Sequence, residues 1–177
     1  MINCEHVYTG DILRQKTTDV MNVFSDEVKS TISLLIEKGN LGLNGQKAIG
    51  VAAPQIGISN RIFIYRLPII QDGEEADYNV PWSTVINPSY QPADNTTVQL
   101  MKEGCLSVPY FYSENVPRYE SIEYSYIDEN GVFYQGVASG MFAHVFQHET
   151  DHLDGKLYID LLENIGDLKI SDGTPIR

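Results

Sequence analysis

The chain has 177 residues, 42% hydrophobic and 20% charged, with 24 Asp and Glu against 12 Lys and Arg for a formal charge of −12. That length suits a single domain, taken as residues 1–177, able to bury roughly 70% of its unfolded surface without disulfides. The negative excess repels phosphate backbones and anionic headgroups, so direct nucleic-acid contact and membrane association are not expected.

The N-terminus, Met1-Ile2-Asn3-Cys4-Glu5-His6, has neither the basic start nor the apolar run of a signal peptide. No apolar stretch is long enough to span a bilayer, so a cytoplasmic location is expected. Cys4 and Cys105 could form one bridge at most, and in a reducing compartment each is taken singly. His6 is assigned no role.

A first helix is predicted from Ser25 to Gly39. Ser25 can cap it, Asp26 and Glu27 suit its positive end, and Lys38 suits the other. Val28, Ile32, Leu35 and Ile36 share one face. A flexible glycine- and asparagine-rich stretch follows, through Gly45. Residues 62–66 (Ile-Phe-Ile-Tyr-Arg) read as a buried strand, with a polar loop from Pro68 to Pro81 after it. In 120–126, Ile122, Tyr124 and Tyr126 alternate with polar residues, a half-buried strand. Asn130-Gly131 signals a hairpin into Val132-Phe133-Tyr134. A second helix runs from about Gly140 to Leu153 and stops at Gly155. Strands on both sides of one helix, joined by hairpins, predict an α+β fold with a central helix packed against antiparallel β-sheet.

The second helix carries His148-Glu149-Thr150-Asp151-His152, an H-E-x-x-H pattern. At about 100° per residue the two histidines lie about 40° apart and one turn along, so both imidazoles can meet one metal ion. Glu149 and Asp151 flank them at about 60° on either side. Glu149 is the candidate acid/base, and Asp151 a residue behind the ligands. Met141 and Val145 on the same face place the histidines beside an apolar surface. His144 keeps the four-residue spacing but lies about 12 Å along the axis from His152, too far to share its ion, and reads as a helix-face or pocket-wall residue. For a third ligand, Gly155 fits one protease pattern but Tyr158 stands where its last histidine would be. Glu163 is one remaining source, which would make a peptidase; Cys105, in Glu103-Gly104-Cys105-Leu106-Ser107, is the other. A thiolate, two imidazoles and a water make a four-coordinate catalytic site with an open position.

Three segments together resemble peptide deformylase: Gly50-Val51-Ala52-Ala53-Pro54-Gln55, Glu103-Gly104-Cys105-Leu106-Ser107 and Gln147-His148-Glu149-Thr150-Asp151-His152. Flanks such as Val116-Pro117-Arg118 and His152-Leu153-Asp154-Gly155 agree, and the resemblance covers most of the chain. It implies a hydrolase that removes the formyl group from N-formylmethionyl nascent peptides and releases formate. Cys105, His148 and His152 would hold one divalent ion, Fe²⁺ in the cell, with Ni²⁺, Co²⁺ or Zn²⁺ as substitutes. Glu149 would move the proton, while the Gln55 side chain and the Leu106 N–H would meet the developing oxyanion. Ile49, Gly50, Met101, Glu103, Met141 and Val145 would bind substrate, Gly50 by letting a peptide strand approach. Glu103 and Arg118 could pair, with Asp151 joining them. The family's first motif glycine is Ala48 here, which suggests a differently running loop. Tyr110-Phe111-Tyr112 could shape preference for residues after methionine, or simply pack in a strand. The tail after His152 lacks the long basic helix of many relatives, so ribosome docking by that route is not expected. A monomer in a bacterial or phage-infected cell fits these features.

Overall fold

The structure, a computed structural model, describes residues 11–42, 48–71, 74–77 and 80–170. Cys4, His6, the far part of the glycine-rich stretch and the tail from Ser171 lie outside the described residues. Two helices, α1 (Asp26–Leu41) and α2 (Gly140–Leu153), combine with ten strands. In chain order these are β1 (Gly50–Ala52), β2 (Ile62–Tyr65), β3 (Ile69–Gln71), β4 (Glu74–Asp77), β5 (Ser83–Pro92), β6 (Val98–Cys105), β7 (Val108–Tyr119), β8 (Ser121–Ile127), β9 (Phe133–Ser139) and β10 (Leu168–Ile170). They form antiparallel sheets ordered β1-β2-β5-β8-β9 and β10-β7-β6, and the hairpin β3-β4. The fold is α+β.

Alternation along β2 explains why its first three residues are all fully buried. Ile62 and Ile64 join Val28 and Leu35 of α1, with Val51 and Ile86. Phe63, pointing the other way, joins Ala52, Val85 and Ile122 with Ala143, Phe146 and Leu153 of α2. A sheet covered on both faces loses the polar half of its strand pattern. A third apolar cluster, Val108, Val116, Leu157, Tyr158 and Leu168, supports the smaller sheet.

Ser25 caps α1, its hydroxyl accepting from the Val28 N–H at 3.3 Å. The helix runs two residues past the expected stop at Gly39, because that glycine serves a contact instead. A Cβ there would lie 2.6 Å from the Trp82 ring. The expected polar loop after Pro68 instead contains β3 and β4. Past α2 the chain makes short 3₁₀ turns at Tyr158–Leu161 and Ile165–Asp167, then adds β10 to the edge of β7. Ala48 is buried in the α1 core, its methyl filling apolar space. Phe111 packs beneath the small sheet, while Tyr110 is exposed with φ 72° and Tyr112 pairs with Gly104.

Both the flank and the end of α2 are pinned by hydrogen bonds. The Gln147 amide accepts from the Tyr119 N–H at 2.9 Å and donates to the Tyr119 carbonyl at 3.0 Å, as a neighbouring strand would. The Leu153 carbonyl accepts from both the N–H and the hydroxyl of Thr17, at 2.8 and 2.9 Å. Helix-end carbonyls need such partners when buried.

Candidate metal centre

Opposite its apolar stripe, α2 turns His144, His148 and His152 toward the small sheet, where β6 delivers Glu103 and Cys105. The register between β6 and β7 shifts twice, between Met101 and Glu103 and between Gly104 and Cys105. Bulges of this kind re-aim side chains. Ligand atoms of Cys105, His148 and His152 come within 4.8 Å of one another, the one such group of His, Cys, Asp and Glu among the described residues. Cys105 Sγ lies 3.2 Å from His152 Nε2. Burial would raise the Cys105 thiol, yet the imidazoles of His152 and His148 hold it well below its ordinary range. A sulfur poised as thiolate beside two imidazole nitrogens is a donor set that suits a borderline-soft divalent ion. Glu163, the other possible third ligand, is exposed and outside this group.

The His148 ring is oriented by the Glu103 carboxylate, 2.8 Å from Nδ1, which leaves Nε2 to face a metal. Glu103 is 4% exposed and bonded on both oxygens by the Arg118 guanidinium. Arg118 also donates to Asp151, which in turn accepts from the Tyr90 hydroxyl at 3.3 Å. Although burial favours its protonation, the bonds from His144, His148 and Arg118 keep the Glu103 carboxyl well below the usual carboxylate range. Glu103 was expected among the substrate-binding residues. The structure puts it behind His148, in the pairing with Arg118 and, through Arg118, Asp151 that was also expected of it.

Glu149 is buried and its Oε2 has no protein partner. Burial pushes its carboxyl up to about 7, against the opposing pull of His148 and His152. The glycine at position 50 belongs to this carboxylate: a Cβ on Gly50 would lie 2.2 Å from Glu149 Oε1. The sequence-based reason for that glycine was room for a peptide strand; the contact actually made is with the acid/base candidate. Among the described residues β1 nevertheless pairs with β2 alone, at the edge of the five-stranded sheet.

Gln55 sits in a short 3₁₀ turn that follows β1. Its Oε1 accepts from the Ala52 N–H at 2.8 Å, which settles the amide orientation and turns Nε2 toward Cys105 Sγ (3.5 Å) and Ser107 Oγ (3.1 Å). Leu106 follows Cys105 in the turn between β6 and β7 and packs against the α1 core. Ile49, Met101 and Val145 are half-buried and Met141 is exposed, and none of the four belongs to the three apolar clusters. Ser107 and Gln147 were overlooked as positioning residues. Each stands beside a motif residue, and only pairing across the fold reveals its partner.

These features coincide with similarity to known proteins. The family model for polypeptide deformylase matches residues 6–167. Peptide deformylase of Picosynechococcus sp. is 35% identical over 158 residues, covering 89% of this chain and 78% of that one. Among solved structures, the Synechococcus elongatus peptide deformylase in complex with actinonin superposes with TM-score 0.73 at 35% identity, over 90% of this chain and 79% of that one. A probable peptide deformylase from Synechococcus phage S-SSM7 gives TM-score 0.73 at 26% identity, over 92% of this chain and all of that one.

Proposed function

The chain belongs to the peptide deformylase family and is a metal-dependent hydrolase that removes the formyl group from N-formylmethionyl peptides of newly made proteins, releasing formate; from that premise we propose how its own residues divide the work. Cys105, His148 and His152 hold one divalent ion per chain, with the H-E-x-x-H segment of α2 as the central element. The observation that carries this is the approach of their three ligand atoms to within 4.8 Å. Bound there, the ion supplies Lewis acidity, lowering the pKa of a coordinated water and polarising the formyl oxygen. By family resemblance we take Fe²⁺ as the cellular ion, and a mixed thiolate and imidazole set also accepts Ni²⁺, Co²⁺ or Zn²⁺ as replacements.

Glu149 takes the proton of the attacking water and passes it to the amine that leaves. In the metal-free chain burial raises this carboxyl toward neutrality, the direction that suits an acid/base. Its lone Oε2 is free to hold that water. The Gln55 amide, locked by Ala52 with its N–H₂ toward Cys105, meets negative charge growing on the formyl oxygen, together with the Leu106 N–H. A donor already aimed costs no reorganisation during the reaction. Ile49, Met101, Met141 and Val145 receive the methionine side chain, and the sheet edge at Gly50 pairs with the peptide backbone. The chain acts as one catalytic domain and a monomer in a bacterial cytoplasm, where nascent chains are made. No helix among the described residues is long and apolar enough to cross a membrane. Among the described residues, the segment 158–170 forms two 3₁₀ turns and β10.

The test is formate release from an N-formyl-Met tripeptide by protein purified without oxygen and loaded with Fe²⁺ or Ni²⁺. Glu149→Ala is expected to lower turnover by roughly 10²–10⁴-fold with metal still bound. Cys105→Ala is expected to lose the metal. Retained turnover in Glu149→Ala, or stoichiometric metal in Cys105→Ala, would overturn the corresponding assignment.

A further inference from the structure

His144 has no part in the chemistry above. Resting on the assignment of His148 as a metal ligand, we infer that His144 is a positioning residue for it, acting through the Glu103 carboxylate. The carboxylate is shared symmetrically. Oε1 takes Arg118 Nε at 2.6 Å and His144 Nε2 at 2.6 Å; Oε2 takes Arg118 Nη2 at 3.0 Å and His148 Nδ1 at 2.8 Å. Two imidazoles one turn apart on α2 thus grip opposite oxygens of one carboxylate, with the guanidinium across both.

Each imidazole has a ring nitrogen within hydrogen-bond distance of its own Glu103 oxygen, at 2.6 and 2.8 Å. Were Oε1 held by Arg118 alone, the carboxylate could swing about its Cγ–Cδ bond and tilt the acceptor that fixes the His148 ring. With His144 in place, such a swing breaks a second bond that is nearly out of water, the two side chains being 19% and 3% exposed. Glu103 also precedes Cys105 by two residues on β6, so its setting reaches the thiolate as well as the imidazole. His144 is not one of the three residues whose ligand atoms come together at the metal centre.

The experiment uses the full chain and Co²⁺, with affinity measured by chelator competition and the visible Co²⁺ spectrum as a report of ligand geometry. His144→Leu is expected to weaken Co²⁺ binding about tenfold, the low end for groups behind a metal ligand, and to shift the visible bands. His144→Gln, whose amide N–H reaches Oε1, is expected to restore most of the affinity and the native spectrum. His144→Asn, polar but one bond shorter, is expected to fall with His144→Leu, which keeps the comparison available should the leucine variant fold poorly. Unchanged affinity and spectrum in both Leu and Asn variants, or a Gln variant as weak as they are, would overturn the inference. If the unmodified chain binds no Co²⁺, or Cys105→Ala binds it equally well, the ligand assignment beneath the inference is what fails.

Discussion

Along one side of α2, Phe142, Phe146 and Leu153 lie in aromatic and aliphatic contact with Phe63, Tyr124, Ile122 and their neighbours on the five-stranded sheet. Along the other, His144, His148 and Asp151 bond to a carboxylate and a guanidinium supplied by the three-stranded sheet. The first side is held by a non-directional attraction roughly proportional to area, which tolerates small shifts. The second is held by bonds that weaken steeply with misalignment, in surroundings where an unpartnered charge is costly. One helix therefore has a forgiving face that gives it stability and an exacting face that places the site.

That contrast can be broken at either face. Arg118→Ala removes the cation from between two buried carboxylates, and breaking a buried pair in this way costs about 3–5 kcal/mol. Urea unfolding should show the loss. A cost below 1 kcal/mol would mean that the polar face is not held as described. Next in size is Glu149. In the folded metal-free protein it keeps its proton up to about pH 7, whereas the ordinary value is 4.5. Between those pH values the folded state binds more protons than the unfolded one, so stability falls as pH rises, by about 3 kcal/mol in all. Glu149→Gln should remove that decline. Equal slopes from pH 5 to pH 8 in variant and parent, both stripped of metal, would contradict the burial argument. Ile64→Val, on the α1 face of the large sheet, should cost only about 1 kcal/mol and show no pH dependence of its own. A much larger loss there would erase the difference between the faces.

The two faces also differ in how far they could be read in advance. The apolar stripe of α1, its Ser25 cap and the span of α2 follow from local periodicity and capping chemistry, and the helices start and end close to where those signals place them. His148 and His152 share a face by helical geometry alone. Gly39 misled, because a glycine that ends a helix and one that admits a tryptophan ring look alike in sequence. The fit of Gly50 against Glu149 was not foreseen, since it joins residues 99 positions apart. Glu103 was named both as a substrate contact and as a partner of Arg118, and its place next to the Cys105 motif could not say which way a bulged strand turns its side chain.

By itself, then, the sequence determined what repeats over one helical turn or one strand: the two helices, the buried β2, the imidazole pair and the resemblance that tied them to Cys105. The helices, the strand and the imidazole pair follow from the backbone's own period and need no distant partner, while the tie to Cys105 rests on the family resemblance. Only the tertiary structure decided the shared carboxylate of Glu103, the guanidinium between Glu103 and Asp151, the locked amide of Gln55 and the seat of Glu149 against Gly50. These depend on the register of two antiparallel strands and the depth at which a helix settles on them, and a shift of one residue in that register would turn Glu103 and Arg118 to the opposite face.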